Sequence, residues 1–203
     1  MIVVRFADDY VAGFERREDA ERFLADLRER FAQFALELHP DKTRLIEFGR
    51  FAATNRARRG EGKPETFVFL GFTHICAKSK KGRFKLQRIT SKKKMRAKLK
   101  TVKTEMRKRM HDPIPEQGLW LAKVLDGHDN YYAVPDNTAA LRSYRRAIER
   151  LWRTALGRRS QKGYVTWEQL NRLAERWLPQ PRILHPWPDA RFDAKTQGRS
   201  PVR

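Results

Sequence analysis

The sequence predicts an α+β chain in which antiparallel strands and one helix come first and an all-α, strongly basic part follows. Three observations predict it. Short β-prone runs such as those within 2–14 (IVVRFADDYVAGF) and 66–75 (TFVFLGFTHI) lie in the first 90 residues. Beyond residue 90 apolar residues recur three or four apart, the period of amphipathic helices. The charge also changes along the chain: residues 1–75 hold 13 Lys+Arg and 13 Asp+Glu, which cancel, while the rest hold 32 and 11 and so carry the whole net charge of +21. The expected divisions are a first domain over 1–89, a helical domain over 90–178 and a proline-rich tail over 179–203.

The stretch 2–14 (IVVRFADDYVAGF) reads as a β-hairpin with Asp8 and Asp9 at its bend. Adjacent carboxylates repel unless a cation lies between them, and Mg²⁺ is the hard cation that such a pair suits. Carboxylates holding Mg²⁺ are also what two-metal nucleotidyl transfer requires. By itself, though, an Asp-Asp turn is more often a solvated bend.

Residues 18–35 space Phe23, Leu24, Leu27, Phe31 and Phe34 as the apolar stripe of a helix that should pack on the hairpin. The stretch 36–48 (LELHPDKTRLIEF) reads as strand, turn and strand with Pro40-Asp41 at the bend. Lys42 follows that bend, where spacing alone suits a surface lysine as well as a cation for a triphosphate or pyrophosphate. Residues 49–65, rich in Arg, Gly and Asn, read as an exposed loop. Residues 66–75 read as a strand with a bend at Gly71, and 78–89 as a basic hairpin turning at Lys81-Gly82-Arg83.

From 90 to 110 the apolar stripe is Met95, Leu99, Val102, Met106 and Met110, and between 78 and 110 there are 16 basic residues against one acid, Glu105. A charge run is usually a solvated face, but this density repels itself without a polyanion to neutralise it. Lys81, Arg83, Lys85, Lys92, Lys93, Lys94, Arg96, Lys98, Lys100 and Lys103 are therefore the expected nucleic-acid contacts.

Pro113 and Pro115 should end that helix, with another starting near Glu116 and presenting Leu121, Val124, Leu125 and His128 on one face. Asn137 or Asp136 should cap the next, which sets Leu141, Tyr144, Ile148, Leu151, Trp152 and Ala155 against Arg142, Arg145, Arg146, Arg150 and Arg153. Thr166-Trp167-Glu168-Gln169 is a capping-box start for the last helix. Short loops between them predict an antiparallel bundle, over which the tail should drape through Trp187. Trp120, Tyr131 and Tyr132 can stack on unpaired bases, though aromatics at helical spacing more often fill a core. His128 has no Cys or His companions at ligand spacing and reads as packed or hydrogen-bonded.

One cysteine, Cys76, excludes a disulfide framework and a cysteine-cluster zinc site, and suits a reducing cytosol. No run approaches the ~20 apolar residues of a membrane helix, so neither a signal peptide nor a membrane span is expected.

In order and spacing, FADD at 6–9, LELHPDKTRLIEF at 36–48 and FVFLGF at 67–72 resemble the last three palm blocks of the group II intron reverse transcriptases. LDGHDNYYAVP at 125–135 and WRTALGRRSQK at 152–162 resemble the thumb or maturase region of the same bacterial family, and LPQPRILHPWP at 178–188 its carboxy-terminal end. The resemblance covers the chain almost from end to end. It implies a partial reverse-transcriptase palm followed by a basic thumb or maturase bundle, an RNA-directed DNA polymerase that also helps its intron fold and splice. In that scheme Asp8 and Asp9 bind Mg²⁺, Lys42 acts at the edge of the active site, and Leu70, Gly71 and Phe72 form a primer-grip-like turn. The implied partners are intron or template RNA and a DNA primer or target, in a cytoplasmic ribonucleoprotein.

Phe6 departs from the tyrosine usual before Ala-Asp-Asp in this family, which keeps the ring and loses a hydroxyl. The family's third metal-binding aspartate, nucleotide-binding strand and fingers lie upstream of the hairpin at which this chain begins. The expectation is therefore a polymerase inactive alone and completed by an upstream fingers and palm polypeptide. The alternative is a stand-alone RNA-binding maturase module, or a decayed remnant of a mobile element, with a vestigial acidic pair. A Cys/His-rich endonuclease module, found in some relatives, is not expected after the tail.

Overall fold

Val, Ile and Phe at the start suit a pleated strand, and in the computed structural model, which describes residues 1–160 and 163–187, they form β1 (Ile2–Phe6). β2 (Asp9–Gly13) returns antiparallel with Phe6 opposite Asp9, so the loop is only Ala7 and Asp8. Helix α1 (Arg17–Ala32) follows the expected stripe but buries only Ala20, leaving Phe23, Leu24, Leu27 and Phe31 half-covered. Phe14, just past β2, meets Phe23 with ring centroids 5.2 Å apart. Phe34 lies beyond the helix, 60% exposed under the Arg30 guanidinium.

Residues 36–48 correct the sequence reading, because no strand forms on either side of the bend. The amides of Lys42 and Thr43 both donate to the His39 carbonyl, at 3.2 and 2.9 Å, so the turn is made while its arms find no partner strand. Residues 49–65 are also not simply a loop, since they contain α2 (Ala52–Arg58). Buried Ala52 anchors it, Asn55 and Arg59 both reach Glu47, and Arg56 and Arg59 reach Glu61. These long-range partners are invisible to a periodicity argument.

Strands β3 (Phe67–Phe69), β4 (Phe72–Lys78) and β5 (Phe84–Thr90) form a sheet in that order. The β3–β4 loop is Leu70 and Gly71 with φ of 49° and 76°, both in the left-handed region as a two-residue type I′ turn requires. The basic hairpin turns at Ser79 to Arg83, where the Ser79 amide donates to the Arg83 carbonyl at 2.8 Å.

The chain divides into two compact units, Met1–Gln87 and Arg88–Arg203. Among the described residues of the second unit four helices form: α3 (Lys92–Lys108), α4 (Ile114–Tyr132), α5 (Thr138–Gly157) and α6 (Trp167–Trp177). Their stripes meet in one core of Val102 and Met106, Leu121 and Leu125, Tyr144, Ile148 and Trp152, and Leu170 and Ala174. α4 starts two residues earlier than expected, because Pro115 sits in its first turn, where an absent N–H costs nothing. Thr166 and Gln169 make the reciprocal capping box at the start of α6.

Asn137 is the residue before α5 but does not cap it with its side chain. Its amide instead accepts from the Thr90 backbone at 2.9 Å and donates to the Thr90 hydroxyl at 2.7 Å and the Tyr132 carbonyl at 2.8 Å, fully buried. The tail is held where Leu184 and His185 donate their amides to the Ala133 carbonyl and the His185 ring meets the Asn130 carbonyl at 2.8 Å. Pro188 and the residues after it, including the end of the expected tail, lie outside the described residues.

Two outcomes follow from this distribution of burial. Backbone hydrogen exchange should be faster in 1–75 than in 115–178, since the first unit buries little beyond Ala20, Ala52 and Phe72; equal strong protection would contradict this. Gln117→Leu should lower stability by about 1–3 kcal/mol, the cost of orphaning the buried Trp152 indole N–H that now donates to Gln117 at 2.8 Å. A urea midpoint equal to that of the parent chain would refute it.

Candidate functional site

The acidic pair stands where the sequence placed it, at the tip of the β1–β2 hairpin, with Asp8 in the loop and Asp9 opening β2. Both are exposed. Ala7 beside them holds φ at 50°, a left-handed conformation at a position that hairpin turns of this length usually fill with glycine or asparagine. Among the described residues no three His, Cys, Asp or Glu side chains converge as a metal site. Two carboxylates are nevertheless a donor set that Mg²⁺ accepts when waters and substrate phosphates complete its shell. The hairpin is thus suited to an ion shared with a substrate and not to a protein-only cage.

Lys42 lies in the 40–42 turn itself, not just past it, and is exposed. Leu70 and Gly71 form the turn as read, whereas Phe72 is only 8% exposed and packs inward. Lys81 and Arg83 are exposed at the tip of the β4–β5 hairpin, and Lys85 is half-buried.

The basic helix carries the clearest geometry. Lys92, Lys93, Lys94, Arg96, Lys98, Lys100 and Lys103 are all exposed on α3, while Met95, Leu99, Val102 and Met106 turn to the core. Glu105 is drawn off by its neighbours: Lys108 at 3.4 Å and Arg109 at 3.0 Å hold its carboxyl below the usual range. The cations on the rest of the helix therefore face solvent without a carboxylate of α3 to neutralise them.

Two arginines placed opposite the apolar stripe of α5 are structural. Arg145 donates to the carbonyls of Pro179, Ala174 and Leu178 and pairs with Glu149. Arg153 donates to the Val165 carbonyl at 2.8 Å and lies 4.4 Å over the Trp167 ring. Arg142, Arg146 and Arg150 remain exposed.

The aromatic candidates divide. Trp120 is half-buried with Arg109 over its ring, and Tyr132 is half-buried, while Tyr131 is 50% exposed. His128 is a packed histidine, stacked on Tyr144 at 3.8 Å and 3.3 Å from the Asp129 carboxylate. Burial, with a smaller push from Asp129, raises the Tyr144 hydroxyl to about 12, so this cluster carries no tyrosinate at neutral pH.

Sequence reasoning missed a cleft of about 520 Å³ between α3 and α5, with Arg107 and Arg158 on its rim. Its only trace in the sequence is the spacing of Lys103, Met106, Arg107 and Met110 along one helical face.

No helix among the described residues is long and apolar enough to cross a membrane. Compared with family models, with curated proteins and with solved structures, the chain finds no match.

Proposed function

We propose that the chain is the carboxy-terminal part of a group II intron-type RNA-directed DNA polymerase and maturase, whose helical unit grips intron RNA or a template-primer in a cytoplasmic ribonucleoprotein. The observation that carries this reading is the α3 face, where seven exposed Lys and Arg between 92 and 103 stand without an acidic residue among them. Such a face is electrostatically unfavourable alone and becomes favourable when phosphates displace their counterions onto it. Phosphate contacts of this kind position a strand and leave its sequence unread.

In the polymerase reading Asp8 and Asp9 hold Mg²⁺ at the hairpin tip, Lys42 offers a cation to a phosphate, and Leu70, Gly71 and Phe72 support the primer. Bound there, Mg²⁺ would neutralise phosphate charge and activate a hydroxyl. Two carboxylates without a third nearby among the described residues favour a second reading, a maturase-like RNA-binding module that performs no polymerisation.

Lys92, Lys93 and Lys94 reversed together to Glu should weaken binding to every RNA and flatten its dependence on salt. In the parent chain, log affinity should fall linearly with log salt by about 0.7 per phosphate contacted on a single strand. Unchanged affinity and slope in the triple variant would refute the electrostatic grip. In a separate assay the 203-residue chain with Mg²⁺ should not extend an RNA-templated primer unless an upstream fingers and palm polypeptide is added. Extension by the chain alone, lost in Asp8→Ala, would overturn the requirement for a further carboxylate; extension with the added polypeptide, also lost in Asp8→Ala, would favour the polymerase over the module.

A further inference from the structure

The cleft between α3 and α5 has an apolar floor and a cationic rim. Met106 and Met110 from α3 and its end face Leu151 and Ala155 from α5 across it, while Lys103, Arg107 and Arg158 stand at the edge. No acidic side chain among the described residues lines it, and none of the three cations has a carboxylate partner among the described ion pairs. Its volume, about 520 Å³, lies within the roughly 300–1,000 Å³ of clefts that hold small organic groups. Thr154, also at the edge, donates its hydroxyl to the Arg150 carbonyl at 2.8 Å and so offers the cleft an acceptor.

We propose that this cleft receives one unpaired nucleobase of a bound RNA strand, with the phosphates on either side held by Lys103, Arg107 and Arg158. It rests on the reading of α3 as an RNA-binding face and adds where a base goes.

Three features select this occupant. Arg96, Lys100, Lys103 and Arg107 recur at i, i+4, i+7 and i+11, so one exposed cationic stripe runs down α3 to the cleft and would lead a phosphate backbone to it. A single carboxylate on an alkyl chain would leave most of a three-cation rim unused, whereas a nucleotide within a strand brings a phosphate on each side. The two methionines are soft, polarisable groups that make favourable contacts with the edge and face of an aromatic ring. A base unstacked from its strand would regain there the apolar contact it had lost.

The experiment uses the full chain and RNA hairpins with a single-nucleotide bulge, either base-bearing or abasic, followed by methionine methyl NMR and by equilibrium binding. The base-bearing RNA should shift the Met106 and Met110 methyls by ring current and the abasic RNA should leave them in place. Affinity should fall about tenfold on removing the base, the loss expected for one stacked base. Thr154→Trp, a substitution at an exposed position, should occlude the cleft and make the two RNAs bind equally with the salt slope kept. RNA bound with a steep salt slope but with no base dependence in the parent chain would overturn the base pocket and leave the α3 grip standing. Absence of salt-dependent RNA binding would overturn both. Methyl shifts produced by laurate or by an acidic amphipathic peptide, and not by the base-bearing RNA, would assign the cleft to those ligands and overturn the proposal.

Discussion

The helical unit depends on the side-chain amide of Gln117. Its Nε2 donates to the carbonyls of Arg109, Met110 and Asp112 at 2.6, 3.1 and 3.4 Å, and its Oε1 accepts from the Trp152 indole at 2.8 Å. One fully buried group thus gathers three carbonyls of the turn that follows α3 and supplies the partner a buried tryptophan needs. Arg159 reinforces it by donating to the Met110 carbonyl at 2.8 Å and also to that of Asp112. Next in sequence, Gly118 leaves room for Trp177, whose ring a Cβ would meet at 2.6 Å, so the same turn of α4 also admits α6.

This arrangement explains how a helix as basic as α3 is held in place. Its cations oppose folding through mutual repulsion, and Glu105 at its far end screens only its neighbours. What offsets the repulsion is burial of Val102 and Met106 and the locking of the helix end through Gln117 and Arg159. Arginine and lysine divide the work accordingly. Arg145, Arg153 and Arg159 use the planar guanidinium to bind several carbonyls or to lie on rings, while the α3 lysines remain solvated. The net charge of +21 therefore counts cations committed to the fold along with those that can meet a phosphate.

Local signals were legible in the sequence and distant partners were not. The stripes of α3 and α5, the capping box at Thr166 and the acidic hairpin each follow from a few neighbouring residues, and each stands where its residues imply. The α2 helix could not be read, because Glu47 and Glu61, which hold it, flank a seven-residue segment without an apolar stripe. Asn137 misled for a related reason: its sequence position is that of a cap, but Thr90, 47 residues away, takes its side chain. The alternation in 36–48 promised two strands, and strands need a neighbour that the segment itself does not supply. The cleft is the extreme case. Half of it lies on α3 and its end and half on α5, so neither stretch alone carries its outline.

The acidic hairpin adds one constraint that composition does not contain. Ala7 sits at φ 50°, and an L-residue pays of order 1–3 kcal/mol for such a conformation, where glycine would pay none of the steric part. Leu70 opens the other two-residue loop at φ 49° with no carboxylate in that loop, so the demand comes from the turn geometry itself. In a unit with so small a buried core, 1–3 kcal/mol is also a considerable fraction of what packing can supply. The strain at Ala7 is thus a property of the hairpin bend, as it is at Leu70.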